Sequence, residues 1–524
     1  MDANLDEWIT SSNECFEINL TRPTKNEDEP APVFIEPFRP SFTYPIFEEK
    51  EVLLGYKDPR IDLTFRANDL KPSLKVAFEA KVDLSSVLPD DEKQIDLEKV
   101  WEDFLPASTT ISSDRSDDPT AKSWKPPGRL LHSFTLLGKQ YEIWSANLTD
   151  PLALAIWENM KILTLLFIEG ASYPELDAQW TLERWTLYLL YEVTPIEEDT
   201  SPYTLAGFST SYRYWIFPTY KIMRATNSLP TPPSSTDGHD ASSYTGPRLT
   251  VDPQTHLFTN QISALESPSR ERISQFMILP PYQGQSLGSR LYDTIFEELV
   301  GKPFIYEIPV EDPSEDFDAM RDYSDIVYLR AIPEFAALTL PSTMPPDTMR
   351  KSAPIPREQI LGNGLPTTMT IDDLRLKTKI VDRQFNRMLE LHLLSAIPAF
   401  NRNKARITRK DKSSSENDRK YYFWRLALKN RIYRQNADVL DQLEDQGEKV
   451  ERLEMAVDGQ QQEYEEREEG MERRKKWSKG EIKSEEAGKS RGKRKRTVVD
   501  DDEDDEWEEI DEEVESSSSK RPKV

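Results

Sequence analysis

Cysteine is almost missing from this 524-residue chain, since Cys15 is the only one. That excludes an internal disulfide framework and any cysteine-rich zinc site. Histidine is scarce as well, with four in all. None recurs at a metal-ligand spacing, so no structural metal is expected. No apolar stretch reaches the roughly 18 residues of a membrane span. The first ten residues, MDANLDEWIT, are acidic rather than a basic region before an apolar one. The expectation is a soluble protein of a reducing compartment, with no membrane partner. Positive charge is also in deficit: Lys+Arg number 67 against Asp+Glu 94, a net charge of -27. Direct nucleic-acid binding is therefore not expected.

Hydrophobic residues make up only 37%, yet the chain holds 11 Trp and 21 Phe. The two facts agree if a real core is flanked by stretches that cannot form one. Residues 500–515 read DDDEDDEWEEIDEEVE, with thirteen acids in sixteen positions. Charge of one sign at that density repels itself and stays disordered. KSRGKRKR (489–496) precedes it and KRPKV ends the chain, the pattern of import signals or nucleic-acid patches. The neighbouring acid favours import. The polyanion itself suits either a grip on a basic partner or mere solubility.

Composition and periodicity give five parts. Residues 1–35 read as a flexible N-terminus, 36–150 as a mixed α/β domain and 151–335 as a central core. Residues 336–457 read as a helical domain and 458–524 as a disordered charged tail. IDLTF and LKVAF alternate as strands do, and 132–148 reads as a hairpin. Residues 151–169 carry apolar residues at helical spacing behind a proline. The Pro-, Ser- and Thr-rich stretch 228–256 reads as an exposed insertion. RISQFMILPPYQGQSLGSRLYDTIFEELVGKPFIYEIPVEDPSEDFDAMRDY parses as strand 272–279, loop, helix 288–300, strand 303–310, and an acidic turn into a helix.

QGQSLG (283–288) lies between that strand and that helix. Such a loop turns backbone N–H groups toward one point at a helix N-terminus, which suits a pyrophosphate. Gly284 and Gly288 would let the backbone approach the anion closely. A glycine-containing strand–helix turn is also ordinary structure, and this one is neither a P-loop nor a clean GxGxxG. The Gln-x-x-[Gly]-x-Gly form after SQFMIL resembles the acetyl-CoA motif of the GNAT acetyltransferase superfamily. RISQFMILPPYQGQSLGSRLY followed by VEDPSEDFDAMRD resembles the type B histone acetyltransferase catalytic subunit family. So do FRPSFTYPIFEEKEVLLGYKD (38–58), WKPPGRLLHSFTLLGKQYEIW (124–144), FIEGASYPELDAQWTLERWTLYLLYE (167–192) and KNRIYRQNADVLDQLEDQGEKVERLE (429–454). The likeness is collinear over most of 15–455. Ser286 departs from it, standing where the family's loop normally has glycine.

The resemblance implies an α+β fold, with a GNAT-type mixed-sheet core between an N-terminal α/β domain and a C-terminal helical domain. It implies acetyl-CoA as co-substrate, and transfer to lysines in the tail of newly made, free histone H4, bound as a pair with histone H3. It further implies a WD-repeat histone chaperone partner and a protein shared between cytoplasm and nucleus. Phe276, Met277 and Ile278 would meet the pantetheine arm through their backbone. Gln283, Gly284, Gln285, Ser286, Leu287, Gly288 and Ser289 would hold the pyrophosphate, with Ser314 nearby. Glu311 matches the general base, with Asp312 and Glu169 as secondary candidates. A lysine is overwhelmingly protonated at neutral pH, so a carboxylate that accepts its proton answers a real chemical need. Asp312 reads equally as a helix cap before Pro313. Tyr212, Arg213 and Tyr214 match positions that touch the histone tail, although an aromatic strand can be plain core. Glu49 and Glu51 would suit a basic tail, or form a solvated turn. With no Ser–His or cysteine nucleophile in view, direct attack in a ternary complex is the economical route.

Two other readings remain open. A basic zipper is suggested by KARITRKDK and the following helix. Leu440, Leu443, Val450, Leu453 and Val457 give only about two heptads, however, and Gly447 interrupts them. An acetyltransferase for another amine, or an inactive binding module, would share the fold.

Overall fold

The computed structural model describes residues 5–24, 31–84, 94–106, 118–176, 178–194, 200–216, 219–226, 254, 265, 267–350, 353–407 and 415–478. The stretches at 500–515 and 228–253 lie outside them, as do both basic clusters.

Strand formation begins earlier than the polar N-terminus suggests. β1 (Phe16–Thr21) alternates fully, with Phe16, Ile18 and Leu20 at 0% exposure. It pairs in parallel with β2 (Arg60–Arg66), which pairs antiparallel with β3 (Pro72–Ala77). Ile9–Ser11 pairs with Val52–Leu54. Residues 9–21 therefore form two strands of the N-terminal domain, in two small sheets, with a helical turn at Ser12–Cys15 between them, not a flexible leader. Every second side chain of β1 is apolar and finds a core, which outweighs the polar average of the segment.

The hairpin β4 (Arg129–Leu136) and β5 (Lys139–Asn147) belongs to the central sheet, so the domain boundary near 150 falls too late in the chain. Asp150 caps α1 (Pro151–Met160) by accepting from the Leu152 N–H at 2.9 Å, and α2 (Ile162–Phe167) follows. The single helix expected over 151–169 is thus two, parted at Lys161. β6 (Trp185–Val193), β7 (Tyr203–Trp215) and β8 (Ser269–Ile278) continue the sheet. After β8 come α3 (Leu287–Val300), β9 (Ile305–Glu307) and α4 (Glu315–Arg330). The order β9-β8-β7-β6-β5-β4 is antiparallel except for β8 with β9. This is the mixed sheet of an α+β, GNAT-like core. β7 runs buried over its first nine residues because both faces are covered. The turn after β2 docks on β7 and β6 through Leu205 N–H to Ala67 O, 2.8 Å, and Tyr191 Oη to Asn68 O, 2.8 Å.

The C-terminal domain comprises α5 (Ile371–Thr378), α6 (Asp382–Ser395), α7 (Glu416–Gln435) and α8 (Gln446–Ser478). The last helix runs some twenty residues past the expected start of the disordered tail. Val457, Tyr464 and Met471, seven residues apart, are buried on one stripe against α7, α6 and α4. Charged neighbours are absorbed by pairing: Arg387 to Glu463 at 2.7 Å and Arg402 to Glu468 at 2.5 Å. One apolar residue per two turns is enough to dock a helix whose other faces are polar.

His392 on α6 accepts a hydrogen bond on Nδ1 from Arg330 Nε at 3.3 Å. Burial, with Arg330 beside it, lowers its pKa to about 4. The unfolded chain takes up a proton near 6.5, so below that pH the unfolded state binds more protons and stability falls until about pH 4. Between pH 7 and 4, the wild type should lose on the order of 2 kcal/mol more than His392→Asn, in parallel urea titrations.

Candidate active site

The site is built where β8 and the strand beyond it separate. Ile273 N–H donates to Pro309 O at 3.0 Å, and Glu311 N–H donates to Ile273 O at 2.9 Å. Beyond that point the chain turns away at Asp312, whose φ is 30°, into α4. β8 itself slips register against β7 between Ser209 and Ser211. Thr210 Oγ1 accepts from Gln275 N–H at 3.1 Å, and Ser209 Oγ donates to Gln275 O at 2.9 Å, so hydroxyls satisfy the irregular stretch.

After the slip, Leu279 N–H donates to Ala206 O at 3.0 Å, which makes Phe208 and Met277 a hydrogen-bonded pair by alternation. Phe276 and Ile278 then turn their backbone groups away from β7, toward the open seam. That is the strand edge an extended amide-bearing arm could join. Met277 does not offer its backbone there, and its side chain is in the core. Gln283 Nε2 donates to the Ile278 carbonyl at 2.9 Å, and Gln285 Nε2 to Pro281 O at 3.1 Å, so both glutamines brace the loop.

The loop then enters α3 with Gly284 at φ 74° and Ser286 at φ 62°. A Cβ built on Gly284 meets nothing within 4 Å, so this side of the loop is open. Ser286 is the N-cap in left-handed geometry, the conformation that explains why glycine is normal there. Serine tolerates it at some strain. Ser286→Gly should hold stability or raise it by up to about 1 kcal/mol, whereas Ser286→Val should lower it by about 2. Thermal unfolding of the two variants checks this.

Gly288 serves a different purpose from the one expected. Its missing Cβ would lie 2.9 Å from Met320 Sδ, with Ile278 and Phe276 next nearest. It lets α3 approach α4 and β8, rather than opening the backbone to an anion. Leu287 is core, and Ser289 is buried. Ser314 caps α4 by accepting from the Phe317 N–H at 3.3 Å, so the cap is Ser314 and not Asp312.

Glu311 stands at the fork. Arg272 Nη1 donates to its Oε1 at 3.2 Å, and Ser274 Oγ donates to its Oε2. The Glu311 side chain remains 37% exposed, so a substrate amine can reach it. Trp185, Tyr212 and Arg272 lie directly opposite one another on β6, β7 and β8, forming a row that ends at Glu311. Trp185 and Tyr212 stack at 5.0 Å, Tyr214 lies 5.5 Å from Tyr212, and Arg272 sits over both tyrosines at 5.8 and 5.4 Å. Burial, then the Arg272 and Glu311 charges, acts on Tyr212, and the balance raises its pKa. Arg213 faces the other way. Strand alternation sends it to Glu271 at 2.7 Å, Leu265 O at 2.6 Å and the Phe304 ring. It braces the sheet instead of joining the two tyrosines.

The remaining acids fall elsewhere. Asp312 is exposed next to Glu311. Glu169 is exposed in the turn after α2, where the Gly170 N–H donates to Tyr44 Oη at 2.8 Å. Glu51 lies in the same neighbourhood, accepting from Tyr44 N–H at 3.1 Å, Thr43 N–H at 2.6 Å and Asn13 Nδ2 at 2.9 Å. Burial opposes its charge, but these donors prevail and lower its pKa. Its carboxylate is spent on holding the chain fold. Glu49 is exposed. Neither Glu169 nor Glu51 shares a hydrogen bond or ion pair with Glu311.

Sequence reading missed Arg272, Ser274 and Trp185. The first two stand two apart in β8, a spacing that places both on one face of the strand.

The family model described as Histone acetyl transferase HAT1 N-terminus matches residues 8–169. The Aspergillus oryzae protein named histone acetyltransferase type B catalytic subunit is 34% identical over 476 residues, covering 88% of this chain and 86% of that protein. Proteins of the same name from Neurospora crassa and Candida albicans are 33% and 30% identical, over 84% and 88% of this chain and 83% and 89% of theirs. The chain belongs to the type B histone acetyltransferase catalytic subunit family. It is an acetyltransferase of that family, and acetyl-CoA is the co-substrate such an enzyme implies. The outward-facing backbone of Phe276, the unobstructed face at Gly284 and the amides at the start of α3 fit that molecule's amide arm and pyrophosphate.

Proposed function

We propose that this enzyme acetylates lysines in the N-terminal tail of free histone H4, with Glu311 as general base. Acetyl-CoA supplies a thioester carbonyl for direct attack. The observation that carries the reading is the half-exposed Glu311 carboxylate, at the mouth of the β8 seam and at the end of a partly exposed aromatic row. The row of Trp185, Tyr212 and Tyr214 suits the aliphatic stem of a lysine, which packs on rings while its amine reaches onward. Arg272 and Ser274 hold the carboxylate in place from one side, which leaves the substrate amine to approach from the other. As the amine attacks, its proton passes to Glu311, and the thiolate leaves.

Histone H4 as the substrate, a histone H3 pair and a WD-repeat chaperone as companions, a role in histone deposition, and a distribution between cytoplasm and nucleus all belong to this proposal. Family membership supports them. The test is acetyl transfer to an H4 tail peptide, compared with an H3 tail peptide and with a non-histone lysine peptide of equal charge. Preference for H4 by at least about tenfold in kcat/KM supports the reading. Equal use of all three peptides would replace it with a general protein acetyltransferase.

A further inference from the structure

The last helix returns to the acetyl-CoA loop. Arg474 on α8 donates through Nη2 to Ser289 Oγ, in the first turn of α3. Its guanidinium lies 4.1 Å from the Tyr323 ring of α4. One side chain thus ties the helix that follows the loop to the helix that follows Glu311. Ser289 comes directly after Gly288, whose missing Cβ faces Met320 of α4, so the same junction is held close on a second side. Asp293 and Arg290 of α3 act on Arg474 electrostatically, along with Tyr323. Two guanidinium groups, Arg290 and Arg474, therefore stand near the positive end of a helix dipole. That placement is unfavourable by itself; Asp293 offsets it in part, and an anion at the helix start would offset it further.

We propose that Arg474 is a positioning residue of the acetyl-CoA site, so that the end of the C-terminal helix is part of cofactor binding. It fixes the first turn of α3 against α4 and adds positive potential where the pyrophosphate is bound. This rests on reading 283–289 as the pyrophosphate cradle.

The experiment is calorimetric titration of CoA into the full chain, with acetyl-transfer kinetics, for wild type, Arg474→Ala, Arg474→Lys and Gly284→Val. Arg474→Ala should raise the Kd for CoA about tenfold, the scale of one charge-assisted hydrogen bond. kcat at saturating acetyl-CoA and KM for the peptide should stay within about twofold. Arg474→Lys keeps the charge without the fork and should recover part of the loss. Dephospho-CoA should show the same loss as CoA, and a chain ending at residue 478 should titrate as wild type. A loss confined to CoA would make Arg474 a direct contact to the 3′-phosphate and overturn the positioning role. Wild-type affinity in Arg474→Ala beside weakened Gly284→Val would sink the proposal and leave the cradle standing. Wild-type affinity in both would remove the cradle reading itself. If Arg474→Ala does not fold, Ser289→Ala probes the same bond, and an unchanged Kd there counts against the proposal.

Discussion

Glu311→Gln is expected to lower turnover by about 10²–10⁴ at neutral pH, the usual range for losing a general base. Fold and acetyl-CoA affinity should be nearly unchanged. Glutamine keeps a carbonyl oxygen for the Arg272 guanidinium, and its amide can donate to the Ser274 hydroxyl that now donates to Glu311. The two tethers that place the side chain therefore survive, while its basicity does not. The loss should shrink as pH rises, because the lysine amine then loses its proton without help. Rates of wild type and variant across pH 6–10, at saturating acetyl-CoA, give the comparison. A variant as fast as wild type at pH 7 would move the base to Asp312 beside it, or to Glu169 in the Tyr44 neighbourhood.

Truncation should divide sharply between two cut sites twenty residues apart. A chain ending at 478 is expected to fold and bind acetyl-CoA normally. A chain ending at 458 should be destabilised by several kcal/mol, on the order of 5, from the loss of buried Tyr464 and Met471 and their contacts. Tyr464 donates to the buried Glu390 carboxylate at 2.8 Å, and Arg431 also reaches that carboxylate at 2.9 Å. Trp424 donates to the Glu390 backbone at 2.9 Å and would lose the Tyr464 ring that covers it. Stability of a domain is typically about 5–15 kcal/mol, so such a loss threatens the whole helical domain. Guanidinium unfolding of the two truncated chains decides it. Equal midpoints would mean that α8 beyond 458 adds nothing to the core.

The strand–loop–helix–strand–turn–helix order around QGQSLG is legible because each element carries its own period or turn residues. α3 was expected over 288–300 and spans Leu287–Val300. The far end of α8 was illegible for the opposite reason. Its buried residues recur only every seven positions among Gln, Glu, Lys and Arg, and a window average cannot tell that stripe from disorder. β1 was missed in the same way, since alternation over six residues is lost in a polar segment. Site residues divide similarly. Glu311 is nominated by its likeness to the family's motif, whereas Met277, Arg213 and Glu51 resembled contact residues until backbone direction and hydrogen-bond partners were known.

The sequence by itself determined the chemistry on offer: a glycine-bearing loop before a helix, a carboxylate after a strand, and almost no cysteine or histidine for another mechanism. These depend on residues close together in the chain. Only the tertiary structure decided which groups act together. A register slip in β8 turns Phe276 and Ile278 outward and Met277 inward, and alternation in β7 separates Arg213 from the tyrosines on either side of it. Pairing across strands brings Arg272 to Glu311, and Arg474 reaches Ser289 across 185 residues of chain. Direction along a strand and contact across a fold depend on partners far away in sequence, and no local pattern encodes them.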